Sequence, residues 1–284
     1  MSFWYWLVSL LPFEWAAPGS MYFMKHALLA ILVITPLFGL LSTLVVQNHM
    51  AFFSDALGHS AFTGVAIGTL AGLSESTWCA VLFALAFSFL FTFVRHRSSM
   101  NSDTIIGVFS SGAMALGIFL STLGGQNFSK FNTLLIGDIL SVRPAKIGIL
   151  ALILLVILFL WLSSFNGLLL SSVHPALAGS RGIQTFWESA LFTSAIAVVV
   201  TISMTWVGLL VINSLLVLPA ALARNLSRNL AQYHLVSITS AFISGIAGLI
   251  TSYYCGTSAG ATITLYLTAL FFLSLFHKRS QRKR

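Results

Sequence analysis

Charge is scarce in this sequence. Only 7% of its 284 residues are Asp, Glu, Lys or Arg, where a soluble domain carries about a quarter. The hydrophobic share is 58%, more than a water-soluble fold of this length can hide, so lipid is the solvent that fits. The six acids are Glu14, Asp55, Glu75, Asp103, Asp138 and Glu188. With so few, each acid inside an apolar stretch is a candidate for function. Other shortages exclude whole classes. Two cysteines, Cys79 and Cys255, are too few for a disulfide framework, and their spacing fits no metal motif. They read as two unrelated thiols. No Lys follows a Gly, so the chain has no Gly-x4-Gly-Lys phosphate loop, and no His-Glu-x-x-His is present. ATP hydrolysis by that route and zinc-protease chemistry are both excluded. No cleavable signal stands out, because the start lacks an early basic region. Its Trp4, Trp6 and Trp15 suit a membrane interface.

What is present is a succession of apolar runs. A hydrocarbon core needs about 20 apolar residues per helix. Spans are expected near 27–46, 52–72, 77–94, 104–123, 146–165, 186–205, 207–222, 235–254 and 260–277. The chain therefore reads as an all-α polytopic membrane protein of eight to nine transmembrane helices. The run at 207–222 is short and forms either its own span or a broken helix with its neighbour. The piece 131–142 is too short to cross and reads as re-entrant or interfacial. The expected organisation is an interfacial segment 1–24, one transmembrane domain 25–277 and a basic tail 278–284.

The net charge of +8 does not mark a nucleic-acid binder, because the basic residues sit in short clusters between apolar runs. Arg95 and Arg97, Arg181, Arg224 and Arg228, and the tail share one side if the odd-numbered spans run inward. Lys and Arg collect in cytoplasmic loops, which puts the N-terminus outside and the C-terminus in the cytoplasm. Lys130, Arg143 and Lys146 fall on the outer side of this count. Anionic headgroups would hold the basic tail at the inner surface.

The segment 50–68 is the most informative. Asp55 and His59 are four apart, so on a helix they share one face. A carboxylate oxygen and an imidazole nitrogen so placed suit zinc, manganese or ferrous iron. Ser60, Gly64, Gly68 and Gly72 follow at every fourth position, and such small residues let another helix approach closely. On chemistry alone two readings stay open. The pair ligates a cation in a narrow path, or it is polar glue between helices.

Other residues weigh less. Glu188 begins a span, where the helix dipole favours a carboxylate, and its expected role is structural. Asp138 lies in the short piece as a path or interface residue. His26, His49, His96, His174, His234 and His277 fall near span ends and are expected to be mostly solvated, with His49 also a candidate support for Asp55.

Four stretches carry a resemblance: 50–68 with Asp55-Ala-Leu-Gly-His59; Ser102-Asp-Thr-Ile-Ile-Gly107 with Ala115-Leu-Gly117; Leu135-Ile-Gly-Asp-Ile-Leu-Ser-Val142; and 207–224, from Val207-Gly-Leu-Leu to Pro219-Ala-Ala-Leu-Ala-Arg224. Together they resemble the permease subunits of bacterial zinc/manganese/iron ABC importers, and look most like the zinc-uptake branch. The likeness runs from about residue 25 to the end. It implies an inner-membrane permease paired with a second permease subunit, as a homodimer or a related pair. Two cytoplasmic ATPase subunits and an extracytoplasmic metal-binding protein would complete the assembly. No cofactor is implied, only a transported divalent metal: zinc first, with manganese or iron as alternatives. The resemblance assigns Asp55 and His59 to the metal path.

The same resemblance assigns the ATPase contact to 168–183, with His174, Pro175, Ala178, Arg181 and Gly182. The family often reads Asp-Pro-Glu-x-Ala there. This chain reads His174-Pro-Ala-Leu-Ala178, without the acids. The family commonly has Pro where this chain has Thr63, which predicts a less kinked helix. Three rival functions stay open: a proton-driven secondary transporter, an ABC importer of a metal chelate, and a membrane enzyme. A chelate importer would want a wide apolar cavity, and no nucleophile or base motif supports an enzyme.

Overall fold

The computed structural model describes residues 2–9, 12–17, 19, 21–73, 76–123, 137, 139–142, 144–173 and 175–281. Among the described residues all regular structure is helical and no strand occurs. The elements are α1 Ser2–Ser9, α2 Tyr22–Gln47, α3 Phe53–Leu70, α4 Thr77–Arg97, α5 Ser102–Leu123, α6 Pro144–Val173, α7 Pro175–Ser180, α8 Thr185–Val207, α9 Leu209–Leu226, α10 Leu230–Cys255 and α11 Ala259–Gln281. Single 3-10 turns lie at Glu14–Ala16 and Ile139–Ser141.

All nine expected spans are helices, so the chain is a multi-pass membrane protein. Eight of them are long and apolar enough to cross a bilayer: α2, α4, α5, α6, α8, α9, α10 and α11. The ninth, α3, has 18 residues rich in Gly, Ser and Thr and falls outside that set. The run at 207–222 is a helix in its own right. Gly208, at φ 89°, breaks the chain between α8 and α9. That left-handed backbone is open to glycine and costly for residues with a Cβ. The piece 131–142 lies largely outside the described residues; its Gly137 packs against the Gly208 backbone.

Lipid offers no hydrophobic drive for helix association, so close packing and hydrogen bonds between helices carry the fold. α2 packs on α10, where Ser237 Oγ donates to the Gly39 carbonyl at 2.7 Å and shares a 2.8 Å bond with Ser42 Oγ. α4 meets α8 through Thr92 and Thr193, 2.8 Å apart at Oγ1. α9 meets α11 through Thr264 Oγ1, which donates to Ser214 Oγ at 3.0 Å. The N-terminal segment folds back on α2. Trp4 Nε1 donates to the Lys25 carbonyl at 3.0 Å, and Lys25 Nζ donates to the Ala17 carbonyl at 2.7 Å.

Helix α3 lies between two groups. On one side it packs on α4 and α5, and on the other it touches α8 and α9. Its small residues explain the first contact. A Cβ on Gly64 would lie 2.5 Å from Ala80 Cα, and one on Gly68 would lie 3.0 Å from Ser76 Cβ. Ser60 is buried and donates to the Leu57 carbonyl at 2.8 Å. Gly72 departs from the expected row. The helix ends at Leu70, and Gly72 closes the turn at φ 70° with nothing within 4 Å of a Cβ. Its role is conformational, not interhelical. At Thr63, where proline was expected from the family, Oγ1 donates to the Ala113 carbonyl of α5 at 2.7 Å, and α3 runs on unbroken.

Candidate functional site

The position of Asp55 follows from how α3 begins. The turn from α2 to α3 carries His49 in the left-handed region at φ 55°. Arg95, near the end of α4, closes this turn. Its Nη2 donates to the Asn48 carbonyl at 3.0 Å, and Nη1 reaches Met50 Sδ at 3.2 Å. Phe53 is buried with its ring 4.6 Å from that of Phe91. These contacts fix the first turn of α3, which contains Asp55.

Asp55 Oδ2 and His59 Nε2 are 3.4 Å apart, as the four-residue spacing requires of one helix face. That is longer than the usual N–H···O hydrogen bond of about 2.7–3.2 Å. It is close to the roughly 3.3 Å between two ligands on a tetrahedral ion with bonds near 2.0 Å. The His59 side chain is 13% exposed and that of Asp55 43%, so the carboxylate is the more accessible end of the pair.

A third polar group comes from a distant part of the sequence. Asn213 Nδ2 donates to Asp55 Oδ1 at 3.3 Å. One turn earlier, Leu209 packs on α3 at Gly58, where its Cδ2 occupies the space a Cβ would need. Asn213 sits within the resemblance stretch 207–224, yet reading the sequence alone did not single it out. The available signal was a carboxamide standing in an otherwise apolar run that leads to Pro219.

The remaining candidates lie elsewhere. Among the described residues no three His, Cys, Asp or Glu gather as a metal cluster. Glu188 packs against Gly167 of α6, with Oε1 2.9 Å from where a Cβ would sit. Asp138 and His174 lie outside the described residues. Cys79 and Cys255 are free thiols. His49 lines a cavity of about 380 Å³ with Gln47, Arg224, Arg228, Asn229 and Tyr233, and none of these residues is acidic. His234 corrects the expectation of solvated histidines. Both ring nitrogens are buried without a hydrogen-bond partner among the described residues. Its ring stands edge-on to Trp161 at 5.3 Å, because α10 begins four residues before it and has already entered the bundle. Of the expected coupling residues, Pro175 begins the short helix α7, Ala178 is buried, and Arg181 and Gly182 follow in an exposed turn.

The chain matches the model of the ABC 3 transport family over residues 20–278. It is 30% identical over 266 residues to the manganese import system permease protein ScaB of Streptococcus parasanguinis, covering 92% of this chain and 93% of that one. It is 29% identical over 252 residues to the high-affinity zinc uptake system membrane protein ZnuB of Haemophilus influenzae, covering 89% and 96%. The solved structure of PsaBC from Streptococcus pneumoniae in complex with Fab superposes with a TM-score of 0.75 at 26% identity, over 96% of this chain and 95% of that chain. The family match and the relatives both extend over nearly the whole chain, and the chain belongs to the ABC 3 transport family.

Proposed function

We propose that this chain is the membrane-spanning permease subunit of an ATP-driven importer of a divalent transition metal in a bacterial inner membrane. Zinc is the first choice of cargo, with manganese or iron as alternatives. The observation that carries this reading is the Asp55–His59 pair, whose donor atoms stand 3.4 Å apart beside a third polar group. An intramembrane ionisable pair is costly and is kept where it serves a path. Relatives named for manganese and for zinc transport support a metal as cargo.

In this mechanism an extracytoplasmic binding protein docks outside and releases the ion between two permease subunits. Asp55 and His59 receive it transiently, and binding stays weak enough for release. The chain has no phosphate loop, so ATP is hydrolysed by separate cytoplasmic subunits and the permease is not itself an enzyme. The region 168–183, centred on α7, docks on them and relays the switch to an inward-facing path. The orientation that places this region and the basic tail inside follows the positive-inside rule.

The test is uptake of zinc and manganese into liposomes containing the permease, its ATPase and its binding protein, with wild type and Asp55→Asn compared. ATP-dependent uptake that Asp55→Asn abolishes, with assembly intact, supports the reading and names the metal. Uptake without ATP transfers the chain to the secondary transporters. Normal transport by Asp55→Asn returns the pair to a purely structural role.

A further inference from the structure

The Asn213 carboxamide is only half used. A carboxylate accepts and cannot donate, so the Nδ2–H bond to Asp55 Oδ1 fixes which arm of the carboxamide is nitrogen. The other arm, Oδ1, is buried and accepts no hydrogen bond from any described residue. A buried acceptor left unpaired costs about 1–3 kcal/mol. The Nδ2 arm already faces the Asp55–His59 pair, so half a turn of the carboxamide brings Oδ1 to that pair.

We infer that Asn213 is a third ligand of the transported cation, through Oδ1, beside Asp55 and His59. This rests on the metal-permease reading and extends it to a residue on another helix. When the cation approaches the pair, the carboxamide turns its oxygen to the ion, and the long Nδ2–H bond to Asp55 is given up. The ligand set becomes one carboxylate, one imidazole and one carboxamide oxygen. Carboxylate and carbonyl oxygens suit manganese, while imidazole suits zinc, so the third ligand matters more for Mn²⁺ than for Zn²⁺.

The placement gives the ion a mechanical role as well. Asp55 and His59 ride on α3, which packs on α4 and α5. Asn213 rides on α9, which packs on α2, α10 and α11, and the next residue, Ser214, accepts from Thr264 of α11. A cation held by all three side chains ties the two helix groups together, and its release unties them.

The experiment measures Mn²⁺ binding to the permease–ATPase complex in lipid nanodiscs, by loss of the free-ion electron paramagnetic resonance signal, with Zn²⁺ competition. Wild type, Asp55→Asn, Asn213→Leu, Asn213→Ala and Asn213→Asp are compared, and co-purification with the ATPase reports folding. The expected result is a site that Asp55→Asn removes and that Asn213→Leu and Asn213→Ala weaken about tenfold or more. The loss is greater for Mn²⁺ than for Zn²⁺, and Asn213→Asp binds at least as tightly as wild type. Wild-type affinity in both Asn213→Leu and Asn213→Ala overturns the inference and leaves the permease reading standing. Weaker binding by Asn213→Asp than by Asn213→Leu also overturns it, because the carboxamide then acts only as a donor that positions Asp55. A wild type with no site that Asp55→Asn removes overturns the inference and the metal-permease reading together.

Discussion

The Arg95 guanidinium donates to the Asn48 carbonyl at 3.0 Å across 47 positions of chain. One cation near the end of α4 thereby shapes the turn that launches α3. Replacing it with Gln leaves the Asn48 carbonyl unpaired in a partly buried place, at a cost of about 1–3 kcal/mol. Arg95→Gln is expected to melt several degrees below wild type in detergent, with Arg95→Lys between the two. In the same turn His49 is left-handed. His49→Gly should be tolerated, and the β-branched His49→Val should lose about 1 kcal/mol or more. Equal melting of all four variants would show that the turn is held by other contacts.

The glycines of α3 differ in what they permit. A Cβ at Gly64 meets Ala80 Cα at 2.5 Å and the Cys79 carbonyl at 2.8 Å, both backbone atoms that cannot swing aside. Gly64→Ala is expected to cost about 1–3 kcal/mol through overpacking. Gly107 and Gly112 of α5 have open space around a Cβ, so Gly107→Ala and Gly112→Ala should be nearly neutral or slightly stabilising. Thermal unfolding of the three side by side checks the order.

Loss of the imidazole should weaken transport without unfolding the chain. A neutral ring nitrogen is a good ligand for a divalent transition metal, so His59→Gln is expected to reduce uptake several-fold while the variant still co-purifies with the ATPase. Wild-type uptake by His59→Gln would remove His59 from the path.

The proposed coupling to an ATPase should be separable from the proposed ion site. Leu177 projects from α7 at 45% exposure, beside buried Ala178. Leu177→Asp is expected to reduce uptake and transport-linked ATP hydrolysis several-fold while Mn²⁺ binding stays at the wild-type level. Unchanged uptake would place the contact elsewhere in 168–183.

Much of this was legible in the sequence because bilayer physics is simple. Apolar runs of helical length marked the nine long helices, although the short run now seen to end at Leu226 stood open between a span of its own and a broken helix with its neighbour. The four-residue spacing alone puts Asp55 and His59 on one helix face. What could not be read was how helices meet. Nothing in the spacing says that Asn213 reaches Asp55 across 158 positions, since periodicity describes one helix at a time. Gly72 failed as a packing residue because the four-residue rule cannot see where a helix stops. His234 failed because proximity to a span end does not tell which way a ring points.

The composition of α3 has a consequence for how the protein is made. The helix that bears the Asp55–His59 pair falls outside the eight that are apolar enough to cross alone. Asp55 in its first turn, His59 one turn on and its many Gly, Ser and Thr residues make leaving the translocon for lipid less favourable for α3 than for the other eight. A ribosome-bound chain that ends just after Leu70 should therefore leave α3 in water. Integration waits for α4, whose close seam at Gly64 and Ala80 lets the two helices pass into the bilayer as a hairpin. The segment that carries the Asp55–His59 pair is thus the one that biogenesis has to chaperone with its neighbour.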